Sequence, residues 1–335
     1  MASLKSLSKY INGQSGADLM RAIFNNSMFL TWFESCGGWE LDATDFDWLN
    51  VGGTADLRNI AESGTWGEFS AIGSTARKTD SQAIYYDGFT VSSMRNIDQD
   101  RGLRQQDNWI YKTRLAKHRA FARSLEKAIF VDAGTDNKMT GVTKRLDGTR
   151  LKGYEDTNIW TDDEAKRVFN AAKKAKSATA KSMDLTDETN FDGFVEMMYE
   201  AKAKMDNLKG IVIPDALRPR MTTILRKTGL LTPNQNYERE IVNFDGTPII
   251  SVPNSVIPQN EPDDTATTPL TNTTSIYFLS PEEQRFSIVS NSGLWYNEYN
   301  HRENTYKDKE MYGINMQTKI EDNKAVLRVR NIKVA

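Results

Sequence analysis

The chain has 335 residues, 39% of them hydrophobic and 26% charged, with a formal net charge of −2. This is the balance of an ordinary folded protein of about two domains, and it excludes a disordered chain or one that is strongly basic as a whole. One cysteine, Cys36, and two histidines, His118 and His301, exclude an intrachain disulfide and a zinc centre built from Cys and His. No run approaches the roughly eighteen apolar residues of a membrane span. No apolar core and cleavage site follow Lys5 and Lys9, so no signal peptide is expected and the chain reads as one made in the cytoplasm.

Residues 1–57 interleave Trp32, Phe33, Trp39, Phe46 and Trp48 with Glu34, Glu40, Asp42, Asp45 and Asp47. Apart from a short amphipathic helix around Ala17–Phe33, broken at Gly37-Gly38, this stretch reads as an arm with anchoring aromatics. Residues 58–92 read as a long hairpin: Gly64 to Phe69, including Trp66, is glycine-punctuated, and Gln82–Tyr86 and Phe89–Val91 favour strands. Its polar tip falls near Gly73–Lys78, and its low apolar content requires support from a neighbour.

Residues 97–132 carry the strongest helical signal, with Leu115, His118, Ala122, Leu125 and Ile129 at 3–4 spacing, Asp98 and Asp100 at the start and Gly134 at the stop. Such a helix would be about 45–50 Å long. Residues 161–228 read as α-rich. A capping box at Thr161–Glu164 opens a helix through Ala172, a second helix runs from about Phe191 to Leu208, Gly210–Pro214 is a buried strand, and a helix with Leu217, Met221, Ile224 and Leu225 follows. Asp245-Gly246 marks a hairpin turn between Glu240–Phe244 and Thr247–Val252. Residues 253–274 read as a loop, and Ser275–Ala335 alternates with period two as three or four antiparallel strands.

A search for chemistry returns little. The arm carboxylates beside tryptophans, Asp45 and Asp47 among them, leave open a carbohydrate-active enzyme. No Gly-x-Ser-x-Gly elbow, phosphate-binding loop or dinucleotide fingerprint occurs. No catalytic residue, metal site or cofactor is assigned. Between Arg101 and Lys127 lie Arg101, Arg104, Lys112, Arg114, Lys117, Arg119, Arg123 and Lys127 against Asp107 and Glu126. That basic strip reads equally as a surface facing phosphates or acidic neighbours and as a solvated helix face.

The order of parts resembles the major capsid protein of tailed bacteriophages, the Hong Kong 97-like fold, over about residues 58–335. Residues 58–92 look like its extended loop and 97–132 like its spine helix. Gly210–Leu217 is similar to its axial-domain strand and helix, and Phe244–Asn254 looks like its Gly-x-Pro-Val strand. The resemblance implies an α+β capsid fold divided into an N-terminal arm (1–57), an extended hairpin loop (58–92), a peripheral domain with the spine helix (93–160), an axial domain (161–290) and a return to the peripheral domain (291–335). It implies a non-enzymatic shell protein assembling in the host cytoplasm into pentamers and hexamers of a virion. Packaged double-stranded DNA would lie on the inner face, with a portal and, in some cases, a decoration protein as partners, and no membrane. The arm is shorter than the scaffolding segment of many relatives. This implies a separate scaffolding protein or a trimmed chain, and Met1 favours the former. Trp32, Trp39, Trp48, Trp66, Lys78, Arg101, Arg104, Arg114, Arg119 and Arg123 are the expected subunit contacts, Lys78 doubling as a candidate cross-link donor. An encapsulin-like cellular compartment with the same fold is the alternative.

Overall fold

A computed structural model describes residues 26–50, 76–92, 109–132, 134, 137–146, 168–177, 180–228, 243–257, 261–262, 269–270, 272–299 and 307–333. In chain order it contains α1 (Met28–Ser35), β1 (Trp39–Leu41), β2 (Asp45–Asn50), β3 (Ala76–Ser81), β4 (Ala83–Ser92), α2 (Trp109–Val131) and α3 (Val142–Leu146). Then follow β5 (Val168–Asn170), β6 (Met183–Asp184), α4 (Phe191–Ala203), β7 (Gly210–Pro214), α5 (Arg218–Lys227), β8 (Asn243–Phe244) and β9 (Thr247–Val252). The remainder is β10 (Glu261–Pro262), β11 (Pro269–Leu270), β12 (Thr273–Leu279), β13 (Phe286–Ser290), β14 (Leu294–Tyr299), β15 (Lys307–Ile320) and β16 (Val326–Lys333).

Two sheets organise these elements. The larger runs β5–β16–β12–β7–β9–β8, with β6 also on β16. Both its faces are buried. Along β12, Tyr277 and Leu279 enter one apolar core with α1, α2 and α3, while Ile276 and Phe278 enter a second core with α4 and α5. The second sheet runs β1–β13–β15–β14. In it β4 and β14 pair with the same stretch of β15 and therefore flank it on opposite edges.

Several expectations are corrected by this arrangement. Residues 28–41 are not a detached arm. Ser27 caps α1 by accepting from the Leu30 amide (2.8 Å), and Phe29, Leu30, Phe33 and Trp39 sit in the chain's own core. The helix expected through Ala172 is instead, at Val168–Asn170, a strand lying parallel along β16. An open sheet edge demands a partner, and β-branched and aromatic side chains supply one. Among the described residues the tail holds five strands, divided between two sheets, and not one antiparallel sheet of three or four. Period-two alternation reports the pleat but does not name the neighbour. For the same reason β13 joins the smaller sheet and β16 the larger, cutting across the division expected at residue 290.

Other expectations hold. The described helix of the 97–132 segment spans 23 residues, about 35 Å. It buries His118, Ala122, Leu125 and Ile129 as the spacing requires. Beyond it, Gly134 is left-handed (φ 72°) and its amide donates to the Met139 carbonyl. Asp98, Asp100 and the rest of 97–108 lie outside the described residues, as do Thr161–Glu164 and His301. Asp245 and Gly246 take φ values of 45° and 78°, the two positive angles of a type I′ turn that matches strand twist. Gly246→Ala is expected to cost about 1 kcal/mol, from backbone strain alone because the added Cβ meets no neighbour. Equilibrium urea unfolding of that variant measures it.

Candidate assembly surface

The first feature is a ribbon. β2 and β3 pair antiparallel from Asp45↔Ser81 to Asn50↔Ala76 and form a two-stranded sheet of their own. The hairpin expected over 58–92 is therefore shifted. One of its strands begins at Asp45, and Ala83–Ser92 leaves the ribbon as β4 to pair with β15. Lys78 lies within β3, opposite Trp48, and not at a tip. Trp66 lies outside the described residues.

The ribbon leaves the body through a polar clamp. Gln82 donates to the Ala43 carbonyl (2.7 Å) and the Asp42 carbonyl (3.2 Å), and accepts from the Asn291 amide (2.9 Å). Gln317 donates to the Ser81 carbonyl (3.0 Å) and accepts from the Thr140 amide (2.8 Å). Arg145, 4% exposed, donates through Nε to Thr318 Oγ1 (2.7 Å) and through its other arm to Asp80 (2.9 Å). Asp45 accepts from the Ser81 hydroxyl at 2.6 Å. Phe46 packs on Val289 beneath this network. Buried polar groups that are all satisfied fix direction, because any other exit angle leaves them unpaired. The arrangement can hold an extension at a set angle to the body.

A second ionic knot joins β1 to β13 and β15. Lys319 pairs with Glu40 (2.6 Å) and Glu321 (3.2 Å), and Ser287 donates to Glu40 (2.7 Å). Burial works against the Lys319 charge, yet the two carboxylates outweigh it and hold its pKa above the ordinary lysine value. Burial also pushes the Glu321 carboxyl up.

The third feature is α2, whose cations divide into two groups. Arg114 makes a two-armed contact with Glu310, Nε to Oε2 at 2.8 Å, and Tyr296 donates to the same carboxylate (2.8 Å). Lys117 faces Asp87 at 3.5 Å, and Tyr312 donates to Asp87. These two cations hold α2 to the smaller sheet. Burial and the neighbouring Asp87 and Glu310 raise the Tyr312 pKa, as burial and Asp132 raise that of Tyr85. Arg119 and Arg123, with Lys112 and Lys127, lie on the exposed face. Arg101 and Arg104 lie outside the described residues.

Of the other expected contacts, Trp39 is 1% exposed, its ring meeting Phe33 edge-on at 6.0 Å. It stabilises the chain itself and offers no surface to a neighbour. Trp32 is half-buried with its ring over Gly210, where a Cβ would collide at 2.4 Å. The structure brings Trp32 and Trp39 into one core, while Arg114 is engaged by Glu310 and Arg119 and Arg123 lie on the exposed face of α2.

Glu126, counted in the sequence only as an acid of the basic strip, proves to be buried. It is 2% exposed and accepts from the Ser27 hydroxyl, tying α2 to the start of α1. Its position in the apolar 3–4 stripe, one turn after Ala122, was the available signal. Desolvation pushes its pKa up to about 7, against the lowering effects of Ser27 and Arg123 and with a further push from Asp215.

Among the described residues, no group of three or more His, Cys, Asp or Glu is placed to hold a metal, and no helix is long and apolar enough to cross a membrane. Cys36 is half-buried, and burial pushes its thiol pKa up, away from nucleophilic behaviour.

No protein-family model and no characterised protein matches the chain by sequence. Solved structures do match. The holo-SrpI encapsulin complex from Synechococcus elongatus is 9% identical, with a TM-score of 0.56 over 91% of this chain and 88% of that one. The capsid of the native GTA particle is 14% identical, with a TM-score of 0.51 over 97% and 94%. A chain from the structure of Microbacterium phage Oxtober96 is 12% identical, with a TM-score of 0.50 over 92% and 91%. Each match covers nine-tenths of the chain or more, and the chain has the α+β Hong Kong 97-like capsid fold.

Proposed function

We propose that this protein is the shell-forming subunit of a tailed-phage head, assembling with itself into hexamers and pentamers around double-stranded DNA. The observation that carries the reading is the fold match along nine-tenths of the chain to a capsid and an encapsulin complex. The ribbon β2–β3 supports it: a two-stranded extension with a polar clamp at its base suits a subunit that must reach a neighbour at a set angle. Trp48 and Lys78, opposite each other on the ribbon, are contact candidates there, and Trp66, outside the described residues, is kept as a candidate. Assembly in the host cytoplasm with a separate scaffolding protein and a portal, with room for a decoration protein, completes the proposal and places the mature product in the virion. No catalytic role is assigned.

Electron microscopy of the purified chain, alone and with its scaffold, is expected to show shells, rings or tubes. A chain that remains a monomer at every concentration under both conditions would defeat the proposal. The second reading, an encapsulin-like compartment, is favoured by the 0.56 TM-score to the encapsulin complex. Particle contents separate the two: nuclease-protected duplex DNA for the head, enclosed protein for the compartment.

A further inference from the structure

The surface of α2 that points away from the body has an unusual composition. Lys112, Ala116, Arg119, Ala120, Arg123, Ser124 and Lys127 are exposed and recur with the helical turn. From Lys112 to Lys127 the row runs about 22 Å at 1.5 Å per residue. The helix contains one acid, Glu126, which is buried and engaged by Ser27. Arg114 and Lys117, the cations of the opposite side, are taken up by Glu310 and Asp87. The charged side chains of the exposed row are all cations, on a chain of net charge −2.

What lies between the cations narrows the partner. The intervening residues are Ala116, Ala120 and Ser124, and the Ser124 hydroxyl donates back to the Ala120 carbonyl (3.1 Å). Protein–protein hot spots draw on Trp, Tyr and Arg seated together in desolvated pockets, and this row sets its arginines among Ala and Ser with no aromatic side chain beside them. A phosphate backbone needs no such anchor. It presents a charge about every 1.7 Å along the duplex axis and is bound through the release of its counterions. Small residues between long cations let that backbone approach the helix closely.

We infer that the exposed row of α2, through Arg119, Arg123 and Lys127, is a docking surface for the phosphate backbone of a nucleic-acid duplex. The inference rests on the shell reading, which supplies the enclosed duplex, and it names the surface that faces it. The contact is with the backbone alone, so it carries no base-sequence preference.

The test uses the full chain, a fluorescent DNA duplex of arbitrary sequence and, in parallel, poly-glutamate as an acidic-protein stand-in. Binding is followed by anisotropy between 50 and 200 mM salt. The three contacts of Arg119, Arg123 and Lys127 are expected to contribute about a 40-fold fall in wild-type affinity across that range, a contribution that their removal abolishes. The R119Q/R123Q/K127Q variant, whose changes are all at exposed positions, is expected to show a shallower dependence and to lose a larger factor in duplex affinity than in poly-glutamate affinity, because the duplex carries more charge per ångström. Equal affinity and equal salt dependence in the two proteins would overturn the inference, as would absent duplex binding. Loss of poly-glutamate binding in step with duplex binding would overturn it in favour of an acidic protein partner. Microscopy of the same samples keeps the two proposals apart: shells whose duplex binding ignores the variant sink this inference and spare the shell reading, and monomers with row-dependent duplex binding do the reverse.

Discussion

Phe33→Ala is expected to destabilise the isolated subunit by about 3–5 kcal/mol, the usual cost of removing a fully buried aromatic side chain. Phe33 is completely buried and forms the centre of an aromatic cluster, with Phe29 at 5.6 Å, Phe286 at 5.5 Å and Trp39 at 6.0 Å. Edge-on and tilted pairs of this kind add about 0.5–1.5 kcal/mol each beyond the area they bury. The cluster joins α1 to β1 and β13, so its loss loosens the parallel β1–β13 pairing as well. The effect should appear as a lower urea midpoint in the unassembled chain at low concentration. A detached arm that orders only against a neighbour would give no change in that measurement, and such a result would return residues 28–41 to the status of an arm. Gly38 constrains the same site, since a Cβ there would lie 2.4 Å from the Phe33 ring.

The pH dependence of stability should carry the signature of Glu126. Its folded pKa, about 7, stands above the ordinary 4.5 because burial penalises the charged carboxylate. The folded state therefore holds the proton more tightly than the unfolded state. The contribution is fully present below about pH 4.5, is lost progressively as pH rises through 7, and changes no further above it. The difference between those values corresponds to about 3 kcal/mol at most. Glu126→Gln keeps the shape and cannot ionise. It should match wild type near pH 4.5 and exceed it in stability above pH 7.5 by up to about 3 kcal/mol. Parallel stability curves for the two proteins across that range would show that the carboxyl is not buried in this way. Because Ser27 caps α1 and donates to Glu126, the linkage acts on the junction between α1 and α2. Hydrogen exchange at the Leu30 amide, which donates to Ser27 Oγ, reports it locally.

Much of this protein is legible from local pattern. The 3–4 spacing of His118, Ala122, Leu125 and Ile129 places the buried face of α2 without knowledge of what covers it, because helix geometry alone puts those residues on one side. Asp245-Gly246 specifies its turn because few residue pairs accept two positive φ angles. The apolar run Gly210–Pro214 is a strand buried on both faces, as its lack of alternation requires. In each case the controlling physics acts within a few residues.

The remainder was decided by contacts distant in sequence. Aromatics beside acids in residues 28–48 fit an exposed arm equally well, and only the arrival of Phe286 and Phe130 against Phe33 and Phe29 makes part of that stretch a core. Val168–Asn170 follows a helical pattern until the open edge of β16 offers strand pairing. The basic row of α2 could be counted in the sequence, but its division into Arg114 and Lys117, engaged by Glu310 and Asp87, and Arg119 and Arg123, turned outward, depends on two sheet strands, β15 some 200 residues away and β4. Short-range periodicity determined which residues face a core or a surface. Long-range pairing, which alone supplies the partners, determined which core and which surface.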